Sequence, residues 1–223
     1  MKMLRLSLAF LAMLLLAVPT LLGQDFSKYR AFSLGTSLTT VLKYTDLKVE
    51  EVKLIESQPA LIQELVWWPP NPPGTPFKSD AVEQIHFSFC NAELYKISVI
   101  YDRTSTEGLT AEDMVKSISA KYGPPATVAP ATDSAMRERS DARLRIASWE
   151  DSQYSVNLAR SSFSGDFDLL IYSKRLNAEA ELALAAAAKL EKQDAPQKEA
   201  DRQKKEIDDL ELTREKNQKS FRP

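Results

Sequence analysis

Apolar and polar residues alternate most regularly over residues 81–101, and this stretch predicts two β-strands. A period of two is the pattern of a strand with one buried face. A three-residue loop, Asn91 to Glu93, sets Phe89 opposite Tyr95 and brings the two apolar sets together. We therefore expect a hairpin that buries one shared set of side chains: Ile85, Phe87, Phe89, Tyr95, Ile97, Val99 and Tyr101.

Further strands are predicted on both sides of this hairpin. Prolines at 59, 69 and 70 bound the first large run, and turn residues at 150–152 and 164–166 separate the last three. Residues 127–140 show no period and are interpreted as a loop. The predicted strands are Val52–Ile55, Ala60–Trp68, Leu144–Trp149, Tyr154–Arg160 and Phe167–Ser173.

Two short helices are indicated by their caps. Thr36 or Ser37 can cap a helix that runs through Val41, Leu42 and Tyr44. Thr110, followed three residues later by Asp113, forms a capping box, and Gly123 with the prolines after it ends that helix. Strands in groups, joined by tight turns, predict an α+β fold: an antiparallel sheet with short helices packed on one face.

The C-terminal part of the chain predicts a long, polar helical tail. We divide the chain into a signal peptide at 1–23, a globular domain at 24–175 and a tail at 176–223. Nine acidic and nine basic residues lie between Lys189 and Lys219. Proline fits only a first helical turn, so Pro196 predicts a break, with Asp194 capping a second helix. The tail is either a solvated helix or one that pairs, as a coiled coil, with a partner or with itself.

The first 23 residues have the layout of a secretory signal. Lys2 and Arg5 precede an apolar run over residues 6–22, Pro19 interrupts the run, and Gly23 is the predicted cleavage position. We expect an exported protein, periplasmic or secreted; the alternative is an uncleaved N-terminal membrane anchor. No later apolar run is long enough to span a membrane, so no membrane-spanning segment is expected once the signal peptide is cleaved.

The charge balance and the single cysteine limit the kinds of partner, disulfide and lipid anchor that the chain can have. Without Lys2 and Arg5 the chain has 27 basic and 31 acidic residues, a balance that argues against nucleic acid. Cys90 is the single cysteine, so no internal disulfide can form, and it lies too far from position 23 to carry a lipid anchor.

No pattern in the sequence predicts catalysis. His86 and Cys90 are unique and lie four residues apart on a predicted strand, roughly 13 Å from each other, which is too far to share a metal. No phosphate-binding loop and no Gly-x-Ser-x-Gly elbow occurs. We expect no metal and no cofactor, and we interpret Glu150-Asp151 as a turn.

The most unusual segment combines tryptophan and proline. Neighbouring tryptophans on a strand point to opposite sides, so one ring can enter the core and the other cannot. The prolines hold the following loop near polyproline II. The segment is either a stiff connection or an aromatic platform for a peptide or glycan, formed by Trp67, Trp68, Pro69, Pro70, Pro72, Pro73 and Phe77.

The core positions resemble those of one group of proteins. The strands at 87–101, the helix that closes at Tyr122-Gly123-Pro124 and the strand with Trp149 resemble uncharacterised exported bacterial proteins. Their small α+β domains are similar in plan to BamE and to the β-lactamase-inhibitor-protein repeat. The resemblance implies a fold over residues 32–173 and no functional residue. The lipid-bearing cysteine of BamE-like lipoproteins is absent.

We therefore expect a non-enzymatic exported protein that binds through a sheet surface and a helical tail. Its predicted partner is a protein or glycan of the cell envelope, with self-association through the tail as a further expectation. The alternative function is a carboxylate-dependent hydrolase.

Overall fold

The computed structural model describes residues 24–70, 80–128 and 143–222. The predicted signal peptide at 1–23 and part of the proline-rich loop lie outside these residues. The elements in chain order are β1 (Lys28–Tyr29), β2 (Phe32–Ser33), α1 (Leu38–Thr45), a 3₁₀ turn (Val49–Glu51), β3 (Lys53–Glu56), β4 (Ile62–Trp67), β5 (Val82–Cys90), β6 (Glu93–Tyr101), α2 (Ala111–Tyr122), β7 (Thr127–Val128), β8 (Arg143–Glu150), β9 (Tyr154–Ser161), β10 (Phe167–Ser173) and α3 (Lys174–Ser220).

Eight of the described strands form one antiparallel sheet in the order β3-β4-β5-β6-β10-β9-β8-β7. The two longest strands, β5 and β6, lie next to β10 and β9 at its centre. The predicted α+β class with an antiparallel sheet is confirmed. The short strands β1, β2 and β7 were not predicted, because two residues are too few for a visible alternation. The loop interpretation of residues 127–140 is wrong at Thr127–Val128, which form β7, and residues 129–140 lie outside the described residues.

The first face of the sheet carries the main hydrophobic core. The β1–β2 hairpin, α1 and α2 cover it with Phe32, Val41 and Ile118, among others. Both predicted helix caps are present: Ser37 accepts from the Thr40 N–H, and Thr110 and Asp113 bond reciprocally. Trp149, which is 1% exposed, donates from Nε1 to the Gly123 carbonyl at 2.8 Å and so joins the sheet to the end of α2.

The β5–β6 hairpin differs from the prediction in its loop. Phe87 lies opposite Ile97 as expected, but the turn has two residues, Asn91 and Ala92, and Phe89 lies opposite Leu94. Both turn residues have positive φ (51° and 64°), the conformation of a type I′ turn. A β-bulge between the pairs Ser88–Lys96 and Phe89–Leu94 restores the register farther along.

The bulge makes Tyr95 the extra residue and sends its ring to the second face of the sheet. The prediction that Tyr95 shares a face with Phe87 is therefore wrong. Burial on both faces explains the difference, because Leu94 enters the main core while Tyr95 packs in a second cluster. That cluster contains Ile62, Cys90, Tyr95, Leu176 and Ala180.

Helix α3 begins on this second face and then leaves it. Ser173 caps it, and Leu176, Ala180, Ala183 and Ala187 are buried, whereas every residue from 188 to 222 is exposed. The helix continues through Pro196, so the predicted break with a cap at Asp194 is wrong. The carbonyl that loses its backbone donor there lies in an exposed part of the helix, where water can bond it. No helix among the described residues is both long and apolar enough to cross a membrane.

Candidate functional site

The second face of the sheet is polar where α3 does not cover it. The strand registers arrange its side chains in rows across β6, β10, β9 and β8. In one row Ser98 lies opposite Leu170, and Leu170 lies opposite Asn157. In the next row Asp168 lies opposite Ala159, and Ala159 lies opposite Arg145. Small side chains at 98, 157 and 159 therefore form a floor between longer neighbours.

The walls around this floor come from two sources. Lys96 and Tyr172 lie opposite each other one row away, toward α3. From the helix, Asn177 and Glu181 face the same space and bond to each other, with Asn177 Nδ2 donating to Glu181 Oε1 at 2.7 Å. The open space between them, about 530 Å³, is called the sheet–helix groove below. Its lining consists of Lys96, Ser98, Arg143, Arg145, Asn157, Ala159, Asp168, Leu170, Tyr172, Asn177 and Glu181.

An ion pair between a buried carboxylate and a partly exposed arginine lies at one end of the sheet–helix groove. Asp168 is 4% exposed, and its Oδ2 lies 2.7 Å from Nε of Arg143. A carboxylate this deeply buried needs a charged or hydrogen-bonding partner, which the guanidinium supplies. The lining also offers hydroxyls, amides, carboxylates and guanidinium groups together with one aromatic ring. Such a set can donate and accept hydrogen bonds along the whole groove.

The helix side of the groove is anchored at the start of α3. Nζ of Lys174 contacts Glu150 Oε2 at 2.6 Å and the Asp151 carbonyl at 2.7 Å, while Oδ1 of Asp151 accepts from the backbone of Gln153 and Tyr154. The predicted turn is present at Asp151, whereas Glu150 is the last residue of β8 and pairs with Ser155. The Glu150 carboxylate contacts the helix through Lys174 and the Asp151 carboxylate bonds within the turn, so the two do not converge on a cleft.

His86 and Cys90 point to the second face but do not form a reactive pair. His86 Nδ1 lies 3.1 Å from Glu64 Oε1, and Cys90 is buried beside Tyr95 in the second cluster. Burial raises the pKa of the Cys90 thiol, which disfavours the reactive thiolate. Among the described residues, no group of three or more His, Cys, Asp and Glu side chains could hold a metal ion.

One of the two tryptophans packs against the core and the other does not, as predicted. Trp67 packs at the edge of the main core with its ring 5.7 Å from that of Phe32, whereas Trp68 is 61% exposed. Pro69 is half-buried and Pro70 is exposed, while Pro72, Pro73 and Phe77 lie outside the described residues. The aromatic platform therefore stays a prediction.

The groove was not predicted from the sequence. The alternation in β6 and β9 marks Lys96, Ser98 and Asn157 as outward-facing, which alone indicates a solvated surface. Only the sheet order and the path of α3 bring these residues together with Asn177 and Glu181. Comparison of the chain with protein-family models, curated proteins and solved structures finds no match.

Proposed function

We propose that this chain is an exported, non-catalytic binding protein that holds a saccharide in the sheet–helix groove. The observation that supports it most is the groove itself. A small-residue floor lies between polar walls from the sheet and from α3, with the Arg143–Asp168 ion pair at one end. Arginine, asparagine and acidic side chains beside a tyrosine ring can bond the hydroxyls of a sugar and cover its apolar face.

The position of the groove in the sheet favours a saccharide over a peptide strand. A peptide that adds to a sheet uses the free backbone of an edge strand. Most of the groove lies on β6, β10 and β9, and each of these strands is paired on both sides; β8, at its far end, pairs with β7 only at Ala147 and Ser148. Over these three strands the backbone groups are occupied, so a ligand there is recognised through side chains. The side chains that face the ligand space are mainly polar, with Leu170 as the large aliphatic member.

The charge of the lining selects among saccharides. Three basic side chains, Lys96, Arg143 and Arg145, outnumber the two acidic ones, Asp168 and Glu181. The groove therefore favours a sugar that carries a carboxylate over a neutral one. An oligosaccharide of uronic acids and a neutral gluco-oligosaccharide of the same length are the matched probes.

Titration calorimetry of the purified chain with both probes tests the proposal. We expect the uronic acid probe to bind more tightly, and Asn157→Leu and Arg145→Gln each to weaken binding about tenfold or more, because each removes hydrogen bonds to the ligand. Arg103→Gln, an exposed arginine that does not line the groove, is the control and keeps the affinity of the unsubstituted chain.

Two results would contradict the proposal. One is the absence of heat with both saccharides. The other is binding that Asn157→Leu and Arg145→Gln leave unchanged although circular dichroism shows that the variants are folded. If peptides from a library bind at the groove and the saccharides do not, the ligand of the groove is a peptide and not a saccharide.

A further inference from the structure

The exposed part of α3 is a long helix without a neighbour among the described residues. From residue 188 to Ser220 every residue is exposed, and at 1.5 Å per residue this part extends roughly 50 Å. Most of the stability of a helix in a protein comes from the packing of one face against a neighbour. The question is which interaction keeps this segment helical.

Contacts within the helix are too weak to answer it. Arg202 lies 2.8 Å from Glu199 and 3.5 Å from Glu206, and Lys219 lies 3.9 Å from Glu215. Each such surface pair contributes little, whereas an interior proline such as Pro196 costs several times as much as one pair gains. A continuous helix through Pro196 therefore indicates stabilisation from outside this segment.

One stripe of the exposed helix is nearly free of charge. Its positions alternate in steps of four and three residues, which is the spacing of a coiled-coil seam. Arg214 is the only charged member, and Ile207 and Leu210 are 57% and 69% exposed. The seam consists of Pro196, Ala200, Gln203, Ile207, Leu210, Arg214 and Asn217.

We propose that this seam pairs with the seam of a second copy of the chain, antiparallel, about a two-fold axis between Asp208 and Asp209. In this register Ile207 meets the partner's Leu210, and Gln203 meets the partner's Arg214. Apolar side chains thus meet apolar ones, and the seam arginine meets an amide. Toward the ends, Ala200 meets the partner's Asn217.

The charges beside the seam select the antiparallel arrangement. Lys204 lies next to the partner's Glu211, and the two-fold axis repeats this attraction. A parallel pair would place Arg214 against the partner's Arg214, and Glu206 beside the partner's Glu211. Both of those contacts join like charges, which disfavours the parallel arrangement. The chain therefore complements itself in one orientation.

Sedimentation equilibrium of the full chain at low salt tests the pairing. We expect the mass to approach that of a dimer as the concentration rises. Lys204→Glu and Glu211→Lys each place like charges together twice, so each should weaken the dimer about tenfold or more. An equimolar mixture of these two variants should form mixed dimers, because the new carboxylate at position 204 of one chain then meets the new ammonium group at position 211 of the other. Lys198→Glu, on the opposite side of the helix, is the control.

The same variants show how the proposal fails. A monomer mass for the unsubstituted chain at every concentration would overturn it. In a parallel pair, Glu211→Lys would remove a repulsion and tighten the dimer, so a tighter dimer would also overturn the antiparallel arrangement. The substituted positions are exposed and remote from the sheet, so the globular part should keep its circular dichroism and melting temperature. The test does not depend on any ligand of the groove.

Discussion

Tyr95 interrupts the ladder between β5 and β6, and its ring packs on the opposite face from Leu94. The neighbouring segment supports this arrangement, because Leu38 N–H bonds the Ala92 carbonyl at 2.9 Å and Gly35 N–H bonds the Leu94 carbonyl at 2.8 Å. These bonds attach the start of α1 to the hairpin end. A single extra residue thus gives the second face an aromatic contact for α3.

The two-residue turn can be tested through Ala92. Its φ of 64° is unfavourable for a residue with a Cβ, and the sequence Asn-Gly suits a type I′ turn best. Ala92→Gly should therefore raise the free energy of unfolding by about 1 kcal/mol, measured by urea denaturation. Ala126→Gly is the control, because Ala126 is exposed and its φ is not positive. This substitution should lower the free energy of unfolding. A loss of stability in Ala92→Gly would contradict the turn.

The ion pair of Asp80 is expected to make the stability of the folded chain decrease in acid. Its two carboxylate oxygens accept from Arg30 at 2.5 and 2.6 Å, and this guanidinium holds the pKa of Asp80 below its ordinary value of 3.8. The folded state then binds this proton more weakly than the unfolded state. The stabilisation is present above the ordinary pKa and is lost as the pH falls through the lower pKa of the folded state.

Asp80→Asn should remove this part of the acid sensitivity. Urea denaturation between about pH 5 and pH 2 should show a smaller loss of stability for the variant than for the unsubstituted chain. At neutral pH the variant should be the less stable of the two, because the ion pair is then broken. Equal slopes with pH for both proteins would show that Asp80 does not contribute.

The elements differ in how far the sequence predicts them. β10 was predicted with its observed bounds, and β8 and β9 within one residue at each end, because clear alternation and turn residues mark them. The β5–β6 loop was predicted with one residue too many, since a bulge has no sequence pattern distinct from a longer loop. The groove depends on which strands are neighbours and on where α3 lies, and neither follows from local periodicity.

Two alanines distinguish the buried face of the start of α3 from its exposed face. Ala180 is completely buried against the second cluster, whereas Ala178, two positions earlier, is exposed. Ala180→Asp puts a carboxylate without a partner between helix and sheet and should cost about 3 kcal/mol or more. Ala178→Asp should change the free energy of unfolding by no more than about 0.5 kcal/mol. Equal effects in urea denaturation would show that α3 does not pack as described.

At the scale of the whole molecule, the groove and the seam lie on one continuous helix. Asn177 and Glu181 line the groove, and the proposed two-fold axis lies near residue 208 of the same helix. In the proposed dimer the two grooves are therefore roughly 80 Å apart along the paired helices. Such an arrangement allows two grooves to bind one long polymer, which increases the apparent affinity without any new contact at either groove.

This geometry predicts different effects on short and long ligands. Glu211→Lys should leave the affinity for the short uronic acid oligosaccharide unchanged, because the groove is intact. For a polymer of the same sugar that is longer than the span, it should reduce the apparent affinity by about a hundredfold, measured on a surface coated with the polymer. Arg145→Gln should weaken the binding of the short oligosaccharide and of the polymer, since each groove loses a contact with the ligand. If Glu211→Lys dissociates the dimer and yet the polymer binds as tightly as before, the two grooves act independently, and pairing of the tails serves a purpose other than avidity.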